Sequence, residues 1–269
     1  MTGGSHRLDA ELVHRGLARS RAQARQLLDS GSVLLDGVAQ RKPSTPVDPS
    51  SVLSLTDEPA GWVGRAAYKL LGALRVFGPG LSVHGRRCLD VGAGTGGFTQ
   101  VLLRAGALEV VSLDVGHGQL SALVASDPRV TPCPGRNIRD VAPGDLGDAF
   151  DVVVADLSFI SLLLVLEPLA AQCRPDADLV VLVKPQFEVG RERLGRSGVV
   201  TSPSEHARVL RQVSRTGAEC GLGTRGLAPS PLRGSAGNEE YLLWLTPRRD
   251  EWLDVGAVDA LIEVVKGPL

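Results

Sequence analysis

The stretch from Cys88 to Thr99, Cys-Leu-Asp-Val-Gly-Ala-Gly-Thr-Gly-Gly-Phe-Thr, constrains the fold more than any other part of the chain. A short apolar run closes on Asp90, a glycine-dense turn runs from Gly92 to Gly97, and an apolar helical pattern opens at Phe98. Strand, glycine turn and helix in that order form the start of a nucleotide-binding α/β domain. Glycine carries no Cβ, so its backbone can approach a ligand more closely than any other residue. The spacing fits the dinucleotide rule Gly-x-Gly-x-x-Gly poorly, and no lysine completes a phosphate-binding P-loop. A ligand without phosphate is favoured at this turn over ATP.

Beyond a polar, breaker-rich junction at Asp57-Glu58-Pro59-Ala60-Gly61, strand and helix patterns alternate. Strands are expected at 87–91, 109–114, 129–133, 151–156, 178–184, 220–228 and 240–246. Helices are expected at 65–77, 97–105, 118–126, 160–173, 203–217 and 254–266. Runs such as Asp151-Val152-Val153-Val154-Ala155 and Leu179-Val180-Val181-Leu182-Val183 are apolar on both faces, as in the centre of a parallel sheet. The pattern predicts a doubly wound α/β fold with ligands at the carboxyl ends of its strands. No helical pattern separates the last two strands, so they are expected to pair antiparallel.

Before the junction lies a smaller unit. Leu8, Leu12 and Val13 recur at helical spacing, and so do Ala24, Leu27 and Leu28 in a second helix capped by Ser20 and stopped by Gly31. Val33-Leu34-Leu35-Asp36-Gly37-Val38 reads as strand, tight turn and return, and Val52 to Leu55 as a further strand. The expected organisation is a small α+β domain over 6–60, a linker over 61–67 and the large α/β domain over 68–269.

With 269 residues and a net charge of −1, the chain has ample core and no global field to attract nucleic acid, so any such surface must be local. Cys88, Cys133, Cys173 and Cys220 lie far apart without a Cys-x-x-Cys pair, which argues against zinc and against a disulfide framework. No metal is expected. The N-terminus is charged at Arg7, Asp9 and Glu11, and the apolar stretch Leu157–Ala171 is interrupted by Glu167 and Pro168. It falls short of the roughly 20 residues a membrane span requires. A cytoplasmic protein without a membrane partner is expected.

Two acids bear on the ligand. Asp114 closes the second strand about 20 residues beyond the glycine turn, where a carboxylate accepts ribose hydroxyls. Asp90 either holds the glycine loop or reaches a ligand amino group through water. Asn137 and Ile138, after the third strand, are candidates to flank an adenine. Two further charges, Asp156 and Lys184, each end an apolar run and so emerge at the ligand edge of the sheet. Pro185 biases Lys184 toward an extended backbone. Buried charges without partners are costly, so these two are expected to pair, with Lys69 and Glu240 as candidates to join them.

The turn Asp-x-Gly-x-Gly-x-Gly-Gly resembles motif I of class I (Rossmann-like) S-adenosylmethionine (SAM) methyltransferases. Nearly the whole chain is similar to the TlyA family of ribosomal RNA 2′-O-methyltransferases, historically also called haemolysins. The likeness rests on Arg7-Leu8-Asp9-Ala10-Glu11-Leu12-Val13, Gly16-Leu17-Ala18-Arg19-Ser20-Arg21 and the glycine loop. It continues through Asp156-Leu157-Ser158-Phe159-Ile160-Ser161, Lys184-Pro185-Gln186-Phe187-Glu188 and Gly237-Asn238-Glu239-Glu240-Tyr241. It implies a seven-stranded methyltransferase sheet with an S4-like N-terminal domain, SAM as cofactor and ribosomal RNA in ribosomal subunits as partner. It implies a cofactor site at Asp90, Gly92, Gly94, Thr95, Gly96, Gly97, Phe98, Asp114, Asn137 and Ile138. It also implies cytidine targets in 16S and 23S RNA and an effect on sensitivity to capreomycin and viomycin. The Lys-Asp-Lys-Glu tetrad that the family shares with FtsJ-type enzymes falls on Lys69, Asp156, Lys184 and Glu240. Within it, Lys184 would orient and activate the sugar hydroxyl, or act as general base when neutral. Asp156 and Glu240 would hold the lysines, and Lys69 would stabilise charge. Before the helix carrying Lys69, relatives often show Ser-Arg-Gly; here the sequence is Gly64-Arg65-Ala66.

A candidate RNA surface comprises Arg7, Arg15, Arg19, Arg21, Arg25 and Lys42 in the small domain and Arg65 in the linker, positioned to contact phosphates rather than base edges. The basic, glycine-rich loop 190–198 is a second candidate. Phe159 and Phe187 are the aromatic side chains nearest the site, expected as core rather than as stacking platforms. Rival readings are a non-catalytic RNA-binding protein on a methyltransferase fold, a pore-forming haemolysin and a nicotinamide-dependent oxidoreductase.

Overall fold

The computed structural model describes residues 6–29, 31–36, 38–55, 61–190, 192–195, 197–234 and 236–266. Most of the expected junction (57–60), the turn glycine Gly37, and Arg191 and Arg196 of the basic loop lie outside the described residues. The chain divides into two compact units, Met1–Arg65 and Ala66–Leu269.

In the small unit, β1 (His6–Arg7) leads into α1 (Leu8–His14), followed by α2 (Arg21–Asp29), β2 (Val33–Leu35), β3 (Val38–Gln40), β4 (Pro46–Val47) and β5 (Leu53–Leu55). Leu8 and Leu12 of α1 meet Ala24, Leu27 and Leu28 of α2 in a core closed by Ala18, Val33 and Val47. The Ser20 hydroxyl accepts from the Gln23 amide at 3.2 Å and so caps α2. Gly31, at φ +74°, ends that helix in the left-handed region that favours glycine. The two short pairings β1–β4 and β3–β2–β5 are all antiparallel.

The large unit runs α3 (Ala67–Phe77), β6 (Arg87–Val91), α4 (Gly97–Arg104), β7 (Glu109–Asp114), α5 (Ala122–Ala125), β8 (Val130–Pro134) and β9 (Phe150–Ala155). It continues with α6 (Leu166–Ala170), β10 (Cys173–Val183), α7 (Pro185–Glu188), α8 (Pro203–Glu219), β11 (Gly223–Pro229), β12 (Tyr241–Thr246) and α9 (Val255–Val265). One seven-stranded sheet orders these strands β11-β12-β10-β9-β6-β7-β8. β8, β7, β6, β9 and β10 are parallel, and β12 is antiparallel to both β10 and β11. The chain winds outward from β6 to β8, then crosses back to β9, so the order reverses between β6 and β9. An open α/β sheet binds its ligand in the crevice at that switch point. Leu89, Val91, Val153, Ala155, Val181 and Val183 are 2% exposed or less, which accounts for the uninterrupted apolar strands of the sequence.

Two expected helices are shorter than their patterns. The segment 160–173 breaks into a 3-10 turn over Leu162–Leu164 and α6, because Pro168 lacks an amide hydrogen and fits only the first turn of a helix. Cys173 has already joined the sheet opposite Phe150. The segment 118–126 is helical only over α5, since Gly118 turns at φ +64°. Among the described residues no helix is long and apolar enough to cross a membrane.

Candidate active site

Three strand registers bring the site together. Ala155 pairs with Val91 on one side and Val181 on the other, and Val183 pairs with Tyr241. Gly92, Asp156, Lys184 and Glu240 therefore stand one step beyond neighbouring strands at one edge of the sheet. β12 runs antiparallel, so its beginning lies where the parallel strands end.

The four charges form an alternating chain. Glu240 Oε2 lies 2.7 Å from Lys69 Nζ, which lies 3.1 Å from Asp156 Oδ2; Asp156 Oδ1 lies 2.6 Å from Lys184 Nζ. All four side chains are 12% exposed or less. Burial alone would neutralise such groups, and each ion in the chain offsets that penalty for the next. Burial pushes the Asp156 carboxyl up, but Lys184 and Lys69 outweigh it and hold it below the usual carboxylate range. Burial pulls the Lys69 ammonium down, but Asp156 and Glu240 reverse the sign and hold it above the usual lysine value. Gly234 makes room for Glu240: a Cβ there would lie 2.7 Å from Oε1.

Beside this chain lies a cavity of about 530 Å³, lined among others by Gly92, Asp114, Asn137, Ile138, Asp156 and Ser158. The glycines around it serve different ends. A Cβ on Gly92 would meet the Asp156 carbonyl at 2.8 Å, and one on Gly96 would meet Leu120 at 2.7 Å, so both glycines accommodate protein. At Gly94, φ +50°, the nearest atom to such a Cβ is 4.0 Å away, so this is the glycine whose surroundings are open. Thr95 is exposed, while Gly97 and Phe98 are buried in the first turn of α4.

Asp90 is fully buried and does not line the cavity. Its Oδ2 accepts from the Thr99 amide at 2.8 Å and hydroxyl at 2.6 Å, which ties β6 to the first turn of α4 and holds the glycine loop between them. Its Oδ1 has no hydrogen-bond partner in the protein. Burial pushes this carboxyl up to about 7 against the pull of Thr99. Asp114 accepts from the amides of Gly94 at 2.8 Å and Gly116 at 2.7 Å while facing the cavity. Each carboxylate oxygen keeps a further lone pair for a hydroxyl donor. Asn137 accepts from the Arg139 amide, capping the 3-10 turn Ile138–Asp140, and the Ile138 side chain is buried.

Three site residues, Ser158, Gln119 and Arg136, were not legible in the sequence, and a fourth, Phe159, is placed differently from its expectation. Ser158 accepts from Lys184 Nζ at 3.0 Å; its position two residues beyond Asp156 in an extended segment was the available signal. Gln119 and Arg136 also line the cavity. Phe159, expected in the core, is 91% exposed at the cavity, with φ +64° and a tilted contact to Phe187 at 5.3 Å between ring centres. A bulky residue held in the left-handed region at a cavity is a mark of function.

In the small unit Arg19, Arg21, Arg25 and Lys42 are exposed, and Arg21 and Arg25 stand one turn apart on α2. Arg65 is exposed. Arg7 is exposed but bonded to Asp9 at 3.0 and 3.1 Å. Arg15 departs from the expected free surface. It bonds Glu11 at 2.7 Å and the Ser51 carbonyl at 2.6 Å, which ties α1 to the segment before β5.

Residues 62–246 match the family of FtsJ-like methyltransferases, and residues 6–53 match the S4 domain. The chain is 49% identical to the 16S/23S rRNA (cytidine-2′-O)-methyltransferase TlyA of Mycobacterium tuberculosis, over 97% of this chain and 98% of that one. It is 32% identical to Hemolysin A of Brachyspira hyodysenteriae, over 88% and 98%. A solved, hemolysin-named chain from Streptococcus thermophilus superposes with a TM-score of 0.73 at 35% identity, covering 98% of this chain and 96% of that one. The chain belongs to the FtsJ-like methyltransferases, and within them to the TlyA group, as a methyltransferase with an N-terminal S4 domain.

Proposed function

We propose that the chain transfers a methyl group from SAM to a ribose 2′-hydroxyl of ribosomal RNA. The observation that carries this reading is the alternating chain Glu240–Lys69–Asp156–Lys184, which reaches the cavity through Asp156. A ribose hydroxyl is a weak acid and a poor nucleophile, so it requires positioning and a cation at the oxygen where charge develops. Lys184 supplies that cation, or takes the proton when neutral. Asp156 fixes Lys184 and Lys69 together, and Glu240 holds Lys69 in place.

The cavity suits SAM. Asp114 offers carboxylate lone pairs for ribose hydroxyls, Ile138, Leu157 and Ile160 supply an apolar wall for an adenine, and Gly94 lies open on a neighbouring pocket that Asp114 and Gln119 also line. When bound, SAM supplies an electrophilic methyl on a sulfonium. The chain's own part would be to orient the sugar hydroxyl through Lys184, with Asp156, Lys69 and Glu240 holding that lysine in place.

The S4 unit offers Arg19, Arg21, Arg25 and Lys42 to RNA phosphates. A target nucleotide drawn out of its stack finds an aromatic face at Phe159. The relative from Mycobacterium tuberculosis carries the name of a cytidine enzyme for 16S and 23S RNA, which supports the same targets here; ribosomal subunits in the cytoplasm are the setting this reading proposes. The same reading proposes an effect on sensitivity to capreomycin and viomycin. Mapping 2′-O-methyl groups on ribosomal RNA from cells with and without the gene tests this directly: the protein-dependent sites are expected to be cytidines. Identical maps would overturn the reading.

A further inference from the structure

We propose that Ser158 is a positioning residue for methyl transfer, which acts by fixing the rotation of the Lys184 amine. The inference rests on the reading of Lys184 as the group that activates the sugar hydroxyl. A lysine Nζ has three vertices besides Cε. Asp156 Oδ1 takes one at 2.6 Å and Ser158 Oγ takes a second at 3.0 Å. The third is left for a substrate oxygen. With Asp156 as sole acceptor the amine could turn about its Cε–Nζ bond, and its free vertex would point nowhere in particular.

The place of Ser158 fits this role. It lines the cavity and is exposed there, whereas Lys184 is buried behind it. The hydroxyl therefore stands where the buried charge meets the substrate space. Its loop is fastened at both ends. The Asp156 amide donates to the Val91 carbonyl at 3.1 Å. At the far end, Ser161 Oγ and the Leu162 amide donate to the two oxygens of Glu188 at 2.5 and 2.8 Å. Glu188 ends α7, which begins directly after Lys184. One short helix thus ties the lysine and the serine-bearing loop to each other. The same clasp lets Phe159, next to Ser158, keep its left-handed backbone.

The test uses the full chain, ribosomal subunits and labelled SAM, with Ser158→Ala and Ser158→Thr beside the wild type. Ser158→Ala is expected to lower kcat by about 10- to 100-fold, the scale set by a misplaced reacting group. KM for the subunits, SAM affinity by calorimetry and Tm should stay at wild-type values. Ser158→Thr, which keeps the hydroxyl, should recover most of kcat. Wild-type kcat in Ser158→Ala, loss of SAM affinity or Tm together with kcat, or no recovery in Ser158→Thr would each overturn the proposal. A wild-type protein that transfers no methyl at all would instead overturn the function on which it rests.

Discussion

Gly92 and Asp156 touch across the switch point of the sheet, so closely that a Cβ on residue 92 would lie 2.8 Å from the Asp156 carbonyl oxygen. The contact joins the end of β6 to the end of β9, and through it the glycine loop shares a wall with the charge chain.

Gly92→Ala is therefore expected to damage both stability and catalysis. The alanine meets backbone rather than a pliant side chain, at φ +83°, and the strain is of order 1–3 kcal/mol. Thermal unfolding should show a Tm several degrees lower, and methyl transfer should fall further than SAM affinity because Asp156 is pushed aside. A Gly94→Ala variant is the contrast. It meets no protein atom closer than 4.0 Å, so it carries only the left-handed backbone cost of φ +50°, about 1–2 kcal/mol, without the clash with Asp156, and SAM binding should fall at least as far as turnover.

Lys184→Ala should abolish methyl transfer while SAM still binds, since Lys184 does not line the cavity. Asp156→Ala is expected to lose activity and also to destabilise the fold. It strips Lys184 of its carboxylate and leaves Lys69 only Glu240, and breaking a buried pair costs about 3–5 kcal/mol. Denaturant midpoints of the two variants should separate the roles. Substantial turnover by Lys184→Ala would remove its assignment.

Asp90 and Asp156 should shape the pH dependence of stability in opposite senses. The Asp90 carboxyl rises from 3.8 to about 7 on folding, so the native state holds its proton more tightly than the unfolded chain. Its stabilising share is full below 3.8 and is lost as pH rises through about 7. Asp156 is lowered, so its share is present above the ordinary carboxylate range and is lost as pH falls below it. Asp90→Asn should flatten the decline in Tm between about pH 3 and pH 8, a window that contains both Asp90 values, 3.8 and about 7. An unchanged Tm profile would show that Asp90 does not titrate in this window.

Arg21→Ala and Arg15→Ala should differ, although both remove an arginine from the same pair of helices. Arg21 is exposed, so its loss should weaken RNA binding, reduce the salt slope by about 1 and leave Tm unchanged. Arg15 bonds Glu11 and the Ser51 carbonyl, so its loss should lower the stability of the small unit by about 1–3 kcal/mol. Titrations at several salt concentrations, together with thermal melts, distinguish the two.

Phe159→Ala should leave Tm unchanged, because the residue is 91% exposed and alanine keeps the Cβ that the φ of +64° disfavours. Binding of the RNA target should weaken by about 1–3 kcal/mol if a base stacks on the ring. An affinity equal to that of wild type would deny the ring that role.

Much of this arrangement was legible in the chain. The runs ending at Asp90, Asp156 and Lys184 are apolar on both faces, and such strands have few places to go but the middle of a parallel sheet. The glycine turn fixed which strand opens the ligand edge. The helices over 118–126 and 160–173 were overestimated, because apolar periodicity does not register a left-handed glycine at 118 or the backbone demand of Pro168. Arg15 looked like its exposed neighbours, since one helical turn of sequence does not reveal a carbonyl 36 residues away.

The sequence by itself determined the parallel sheet, the ligand edge, the glycine turn and the residue types that meet there. These depend on local pattern and on the cost of burying charge, both of which are written along the chain. Only the tertiary structure decided which glycine is open, that Asp90 anchors the loop rather than facing the cavity, that Ser158 holds Lys184, and that Phe159 is displayed rather than packed. Each depends on a distance between atoms remote in sequence, or on a backbone angle imposed by contacts on both sides, and neither leaves a periodic trace.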